Sequence, residues 1–142
     1  MKRQQRERIG RMFGALIRGQ IGEFTSGCTD DLAVTMWGSS SAPTNLSRSD
    51  IPDWFGSLQA LSPASLRSSV EVGRVEGDRA TVMLRHEFAR NGIDYRLEMV
   101  NLVTFRNGLL AEWCSYPLDL AEYARAWRTH DLSMAAPAQS IT

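Results

Sequence analysis

The sequence predicts an α+β domain, a curved antiparallel sheet with helices packed on one of its faces. Three observations lead there. Apolar residues early in the chain recur at helical spacing, whereas from Leu66 onward they alternate with polar ones. Two Asn-Gly pairs, Asn91-Gly92 and Asn107-Gly108, separate alternating runs, and Asn-Gly in that setting is the strongest short-range hairpin signal. The order of elements is helices, one strand, a helix and then strands in succession, which fits α+β rather than alternating α/β architecture.

Each element has its own reason. Ile9, Met12, Phe13, Leu16 and Ile17 form one face of an amphipathic helix from about Gln5 to Arg18. Gly19 ends it, and a short second helix carries Ile21 and Phe24. A first strand covers Asp31 to Trp37, and "GSSSAPTNLSRSD" is a polar loop. Ser49 or Asp50 caps a third helix, "IPDWFGSLQAL", with Pro52 near its first turn. Four strands follow: "LRSSVEVGRVE", "RATVMLRHEFAR", "IDYRLEMVNLVTFR" and "LLAEWCSY". Gly77-Asp78 and the two Asn-Gly pairs join them into an antiparallel meander. Asp119, with Glu122 three residues on, starts a last helix through a capping box. One domain spans residues 1–128, and the tail over 129–142 is expected to fray.

Composition narrows the class of function. The chain has 142 residues, enough for one proper core, and equal numbers of acidic and basic groups, 16 of each. Zero net charge offers no field for nucleic acid or acidic lipid, so neither is expected as a partner. No apolar run approaches the ~20 residues of a membrane span. Cys28 and Cys114 have no metal-ligand spacing and no disulfide framework, and read as free thiols in a reducing cytoplasm. The Arg-rich start "MKRQQRERIGR" runs straight into the apolar stripe of the first helix and reads as a solvated first turn. No metal is expected.

The meander's register locates the polar residues. A two-residue loop at Asn91-Gly92 sets Arg85 against Glu98 and Glu87 against Arg96, complementary charges that belong on a wet face. The same register sets His86 against Leu97, Leu84 against Met99 and Val82 against Asn101. The inner face is therefore apolar with two exceptions, His86 and Asn101. An amide in "EMVNLVTF" costs free energy unless it finds partners. Either a neighbouring backbone group or bound water holds Asn101, or it faces a ligand. His86 is the best acid/base candidate, its alternative being a structural histidine on a backbone carbonyl. His130 falls in the tail and is expected to be exposed. Glu112 faces inward by register against Val103, or outward at an edge. Val100, Leu102 and Trp113 fall on the outer face, and a Trp-centred apolar patch there predicts a homodimer.

The stretches "ALIRGQIGEFTSGCTDDLAVTMW" and "VTFRNGLLAEWCSY" resemble the opening and the closing hairpin of the NTF2-like superfamily. That superfamily includes ketosteroid isomerases, SnoaL-like polyketide cyclases and limonene-epoxide hydrolases. The resemblance covers nearly the whole chain. It implies a cone with helices on the concave face of the sheet around an apolar pocket, no cofactor, and often a homodimer. It does not imply one reaction. Matched to the isomerases, Met12 takes the place of the catalytic tyrosine and Met36 that of the aspartate base. Asn101 takes the place of the oxyanion-binding aspartate, where an amide is a weaker donor. Matched to the epoxide hydrolases, Arg85-His86-Glu87 resembles "Arg-x-Asp", but Ser115 replaces the second acid. Isomerase chemistry by the family's own mechanism is thus disfavoured, and hydrolase chemistry weakened.

The pocket implied by the resemblance selects the remaining candidates. Tyr116, next to Pro117, either places a phenol at its mouth or packs at the sheet end. Met12, Met36, Trp37, Trp54, Tyr95 and Met99 suit its lining, and methionine-rich walls suit a bulky apolar ligand. Asp119 is explained by helix capping. Two function classes follow. One is a cofactor-independent cyclase, isomerase or dehydratase acting on a hydrophobic polyketide- or terpenoid-like intermediate, with His86, Asn101 and Tyr116 as catalytic groups. The other is a non-catalytic binding or scaffolding protein.

Overall fold

A computed structural model describes residues 2–38 and 42–127. The tail beyond Trp127, with His130, lies outside the described residues. Helix α1 is Lys2–Ile17, α2 Ile21–Thr25 and α3 Ile51–Gln59. Strands are β1 (Cys28–Met36), β2 (Thr44–Ser47), β3 (Arg67–Glu76), β4 (Arg79–Arg90), β5 (Ile93–Arg106) and β6 (Leu109–Pro117). They form one curved sheet in the order β2-β1-β6-β5-β4-β3. The predicted meander is there, and β1 joins it through a parallel pairing with β6, so the sheet is mixed.

Local chemistry explains the turns. Asn91 and Gly92 both have positive φ, as do Asn107 and Gly108, the requirement of a two-residue hairpin that follows strand twist. The β4–β5 register is the one the charge pairs select: Arg85 faces Glu98, Glu87 faces Arg96, His86 faces Leu97 and Val82 faces Asn101. Arg85 meets Glu98 at 2.9 Å on the outer face.

Three local expectations change. The polar loop contains β2, which pairs with β1. Asp50 stands at the N-cap of α3 as expected, but its side chain makes no cap bond there; it reaches back to the Ser47 N–H at 2.8 Å across the single 3-10 turn that Ser47 caps. Residues 120–127 are helical; Asp119 caps them, accepting the Glu122 N–H at 3.0 Å. The Glu122 carboxylate leaves the capping box and instead accepts the Arg96 N–H of β5 at 3.1 Å.

Two bulges set which residues face inward. In β3 the register slips between Val72 and Val75. The Val72 and Gly73 carbonyls there accept the Arg6 guanidinium from α1 at 2.7 and 2.5 Å. The start of α1 is thus tied to β3 rather than simply solvated. The β5–β6 register slips between Thr104 and Phe105. This overturns the expected outer placement of Trp113. Trp113 faces Val103 on the inner face and is fully buried, while Glu112 turns out to solvent opposite Thr104.

The core is built around that indole. Phe13 of α1, Phe24 of α2 and Trp54 of α3 each meet Trp113 edge-on, at ring centroid distances of 5.4, 5.6 and 5.7 Å. The indole Nε1–H donates to Asn101 Oδ1 at 2.7 Å. Asn101 Nδ2 donates to the Val82 and Met99 carbonyls, each at 3.0 Å. The buried amide therefore joins β4, β5 and β6. Asn101→Leu should cost about 1–3 kcal/mol, because a buried indole N–H and two buried carbonyls lose a partner. Chemical denaturation of Asn101→Leu, Trp113→Phe and the double variant checks this. The two losses should be less than additive by roughly 1 kcal/mol; strict additivity would show that the pair is not coupled.

Candidate functional site

The inner face of β4 brings forward a buried titratable group, His86, which is 2% exposed. Its Nδ1 lies 2.7 Å from the Ser68 hydroxyl on β3. The slip in β3 makes this contact. A plain two-residue hairpin at Gly77-Asp78 sets Ser69 opposite His86, and the bulge moves the register by one residue, to Ser68. Ser68 is the site residue that the sequence reading missed, and only recognition of the bulge would have exposed it. Among the described residues the ring's Nε2 has no hydrogen-bond partner. Burial pushes the His86 pKa down to about 4, so the ring is neutral at neutral pH.

Ser68 also borders a cleft of about 440 Å³. Ile17 of α1, Phe55 of α3, Ala60 just past its end, and Pro63 and Leu66 supply its apolar walls. Gln59 and Ser68 are the polar side chains that line it, and no ionisable side chain does.

The other predicted site residues divide into three places. Met12, Met36, Trp54 and Met99 pack with the aromatic core around Trp113. Tyr95 is buried in a second cluster with Phe55 and Phe88, stacked on Phe88 at 5.0 Å with the Arg125 guanidinium 4.3 Å over its face. It borders a different cavity of about 660 Å³, rimmed by Arg67, Glu87, Arg96 and Glu122. Trp37 and Tyr116 stack on each other at 6.3 Å, and Tyr116 pairs with Val100 in the outward-facing row of the sheet. They stand across the sheet from His86, which corrects their expected place in one lining with it.

Asn101 shares the inner face with His86, but the protein itself engages its amide nitrogen and its oxygen. Arg85 and Glu87 are on the outer face, paired with Glu98 and Arg96. The hydrolase-like arrangement therefore does not form inside. Cys28 and Cys114 are free, and burial pushes the Cys28 thiol up to about 11, so it stays protonated. Among the described residues no group of His, Cys, Asp or Glu is placed to hold a metal, and no helix is long and apolar enough to cross a membrane.

The chain has the NTF2-like fold. Bal32a, from a soil-derived mobile gene cassette, is similar over 88% of this chain and 97% of its own, with TM-score 0.74 and 18% identity. IdmH from Streptomyces antibioticus, a candidate polyketide cyclase, is similar over 87% and 98%, with TM-score 0.68 and 15% identity. An NTF2-like protein from Burkholderia xenovorans is similar over 87% and 95%, with TM-score 0.64 and 16% identity. No family model and no curated protein matches the sequence.

The buried ring gives a pH signature. An unfolded chain takes up a proton on His86 near pH 6.5, whereas the folded ring refuses it until about 4. The unfolded state binds more protons between those values, so stability falls as pH drops through that window and is fully present above it. The loss is about 2–3 kcal/mol by the lower end. Urea midpoints at neutral and acid pH should show this share in the wild type and its absence in His86→Gln. An equal acid loss in both would show that His86 does not titrate this way.

Proposed function

We propose that this protein is a cofactor-independent catalyst of the cyclase, isomerase or dehydratase type, acting on a hydrophobic small molecule such as a polyketide- or terpenoid-like intermediate. His86 is its proton-carrying group. One observation carries this reading: a neutral imidazole is buried on an apolar face, with one nitrogen on a hydroxyl and the other unengaged among the described residues. A neutral imidazole has a lone pair that can take up a proton, and burial of the ring favours its return. Keto–enol and double-bond shifts in a dry site need that kind of exchange. The fold's likeness to candidate polyketide cyclases agrees with this class. Free thiols on Cys28 and Cys114 agree with a reducing cytoplasm.

Binding without turnover is the second reading. It is favoured by the filled interior, where Phe13, Phe24, Trp54 and Trp113 occupy the space beside Asn101, and by the engaged Asn101 amide. Native mass spectrometry of protein exposed to cell extracts identifies what is retained, and turnover of that compound separates the readings. His86→Gln should bind it and lower turnover about 100-fold or more. Unchanged turnover in that variant would overturn the catalytic role of His86, and retention with no turnover in the wild type would favour the binding role.

We also propose a homodimer through the outer face of the sheet. The apolar patch there is the Trp37–Tyr116 stack with Val100 and Leu102, and Leu102 is 48% exposed. Burying such a patch against a second copy removes it from water. Sedimentation at micromolar concentration should give a dimer for the wild type and a monomer for Leu102→Asp. A wild-type monomer would rule the interface out.

A further inference from the structure

We propose that the cleft between α1, α3 and β3 is the ligand site, and that Ser68 is the group through which His86 reaches the ligand. This rests on the reading of His86 as the proton carrier and adds where the ligand sits and what it must offer. His86 itself is 2% exposed, so a ligand does not meet its ring by lying on the surface. Ser68 is half-buried on the edge strand, has its Oγ on His86 Nδ1 and is one of the residues lining the cleft. It is therefore the bridge between an enclosed ring and an open volume.

The walls define the ligand class. Ile17, Phe55, Ala60, Pro63 and Leu66 present carbon, and the lining has no charge to pair with an ionised ligand. The volume, about 440 Å³, lies in the range of small-molecule sites. A neutral, mostly apolar molecule fits, with one hydroxyl or carbonyl oxygen directed at Ser68. Gln59 offers a second, amide contact at the rim. The ring's tautomer decides what Ser68 shows the ligand. With the hydrogen on Nε2, Ser68 donates to Nδ1 and offers lone pairs to a ligand hydroxyl. With the hydrogen on Nδ1, the ring donates to Oγ, and the serine hydrogen is free for a ligand carbonyl.

The proton step balances along this path. The ligand O–H bond breaks as a new Oγ–H bond forms, and Ser68's original O–H breaks as Nδ1–H forms. The ring then holds the positive charge and the ligand oxygen the negative one. The reverse transfer restores both, and burial of the ring favours that return.

The probe is 2-naphthol, a flat apolar molecule with one hydroxyl, added to isotope-labelled protein and followed by NMR. We expect amide shifts at Ala60, Leu66 and Ser68 together with a shift of the His86 ring nitrogens. Ser68→Ala should keep the wall shifts, lose the ring response and bind about tenfold more weakly, the worth of one hydrogen bond. Ala60→Trp, which fills the cleft from an exposed position, should abolish both responses. Binding that leaves the cleft amides unmoved overturns the site. So does a ring response that survives in Ser68→Ala, which would mean that the ligand reaches the ring directly. The two proposals fail separately. Turnover lost in His86→Gln but intact in Ser68→Ala and Ala60→Trp keeps the catalytic role and overturns this site. Cleft binding with no turnover in the wild type keeps the site and removes the catalysis.

Discussion

The hydrogen bond between Trp113 and Asn101 fixes the piece on which the helices rest. A buried indole can take several orientations that bury similar apolar area, and area alone does not choose among them. The 2.7 Å bond to Oδ1 does choose. Asn101 is itself held by two carbonyls, one on β4 and one on its own strand, so its amide cannot turn. With the ring fixed, Phe13, Phe24 and Trp54 each find its face or edge, and with them α1, α2 and α3. Each such aromatic contact adds about 0.5–1.5 kcal/mol beyond area. A buried polar network that is fully partnered adds uniqueness to a core, and this one sets the spacing between sheet and helices.

Bulges place the rest. A strand's side chains alternate with period two, so a slip of one residue exchanges the two faces. The slip in β6 turns Trp113 inward and Glu112 outward. The slip in β3 sets Ser68 beside His86 and bares the carbonyls that Arg6 binds. One kind of irregularity thus supplies the core's central ring, the histidine's partner and the anchor for α1.

These slips also mark how far the sequence could be read. The β4–β5 register was legible because it has no bulge and because Arg85, Glu98, Glu87 and Arg96 form opposite-charge pairs only in one alignment. That alignment put His86 and Asn101 inside correctly. The hairpins were legible from Asn-Gly, whose residues accept positive φ. Trp113 was misplaced because a bulge has no fixed signature, and "LLAEWCSY" alternates plausibly in either phase. Ser68 was missed for the same reason. The β1–β6 pairing joins strands distant in sequence and has no local cue, and β2 is a short edge in a Ser- and Pro-rich run. Match to a family position identified Asn101 as a point of interest, but its role depends on which atoms surround it, and those come from β4 and β6.

What remains polar in the interior then separates by duty. Ser115 and Asn101 face each other in the register between β5 and β6, and the amide's donors and its oxygen are engaged within the protein. An amide so engaged contributes to the fold and has no hydrogen left to steady a developing oxyanion. His86 differs. One of its nitrogens has a partner, and a second left unengaged inside the protein costs about 1–3 kcal/mol that the fold must offset elsewhere. The same burial that keeps the ring neutral disfavours a proton held on it. A residue buried for stability alone would be served as well by leucine, which packs opposite Leu97 without a hydroxyl to satisfy. The imidazole is turned to a serine that borders open space, so this polar pair stands where the inner face meets a cleft that the helices leave open.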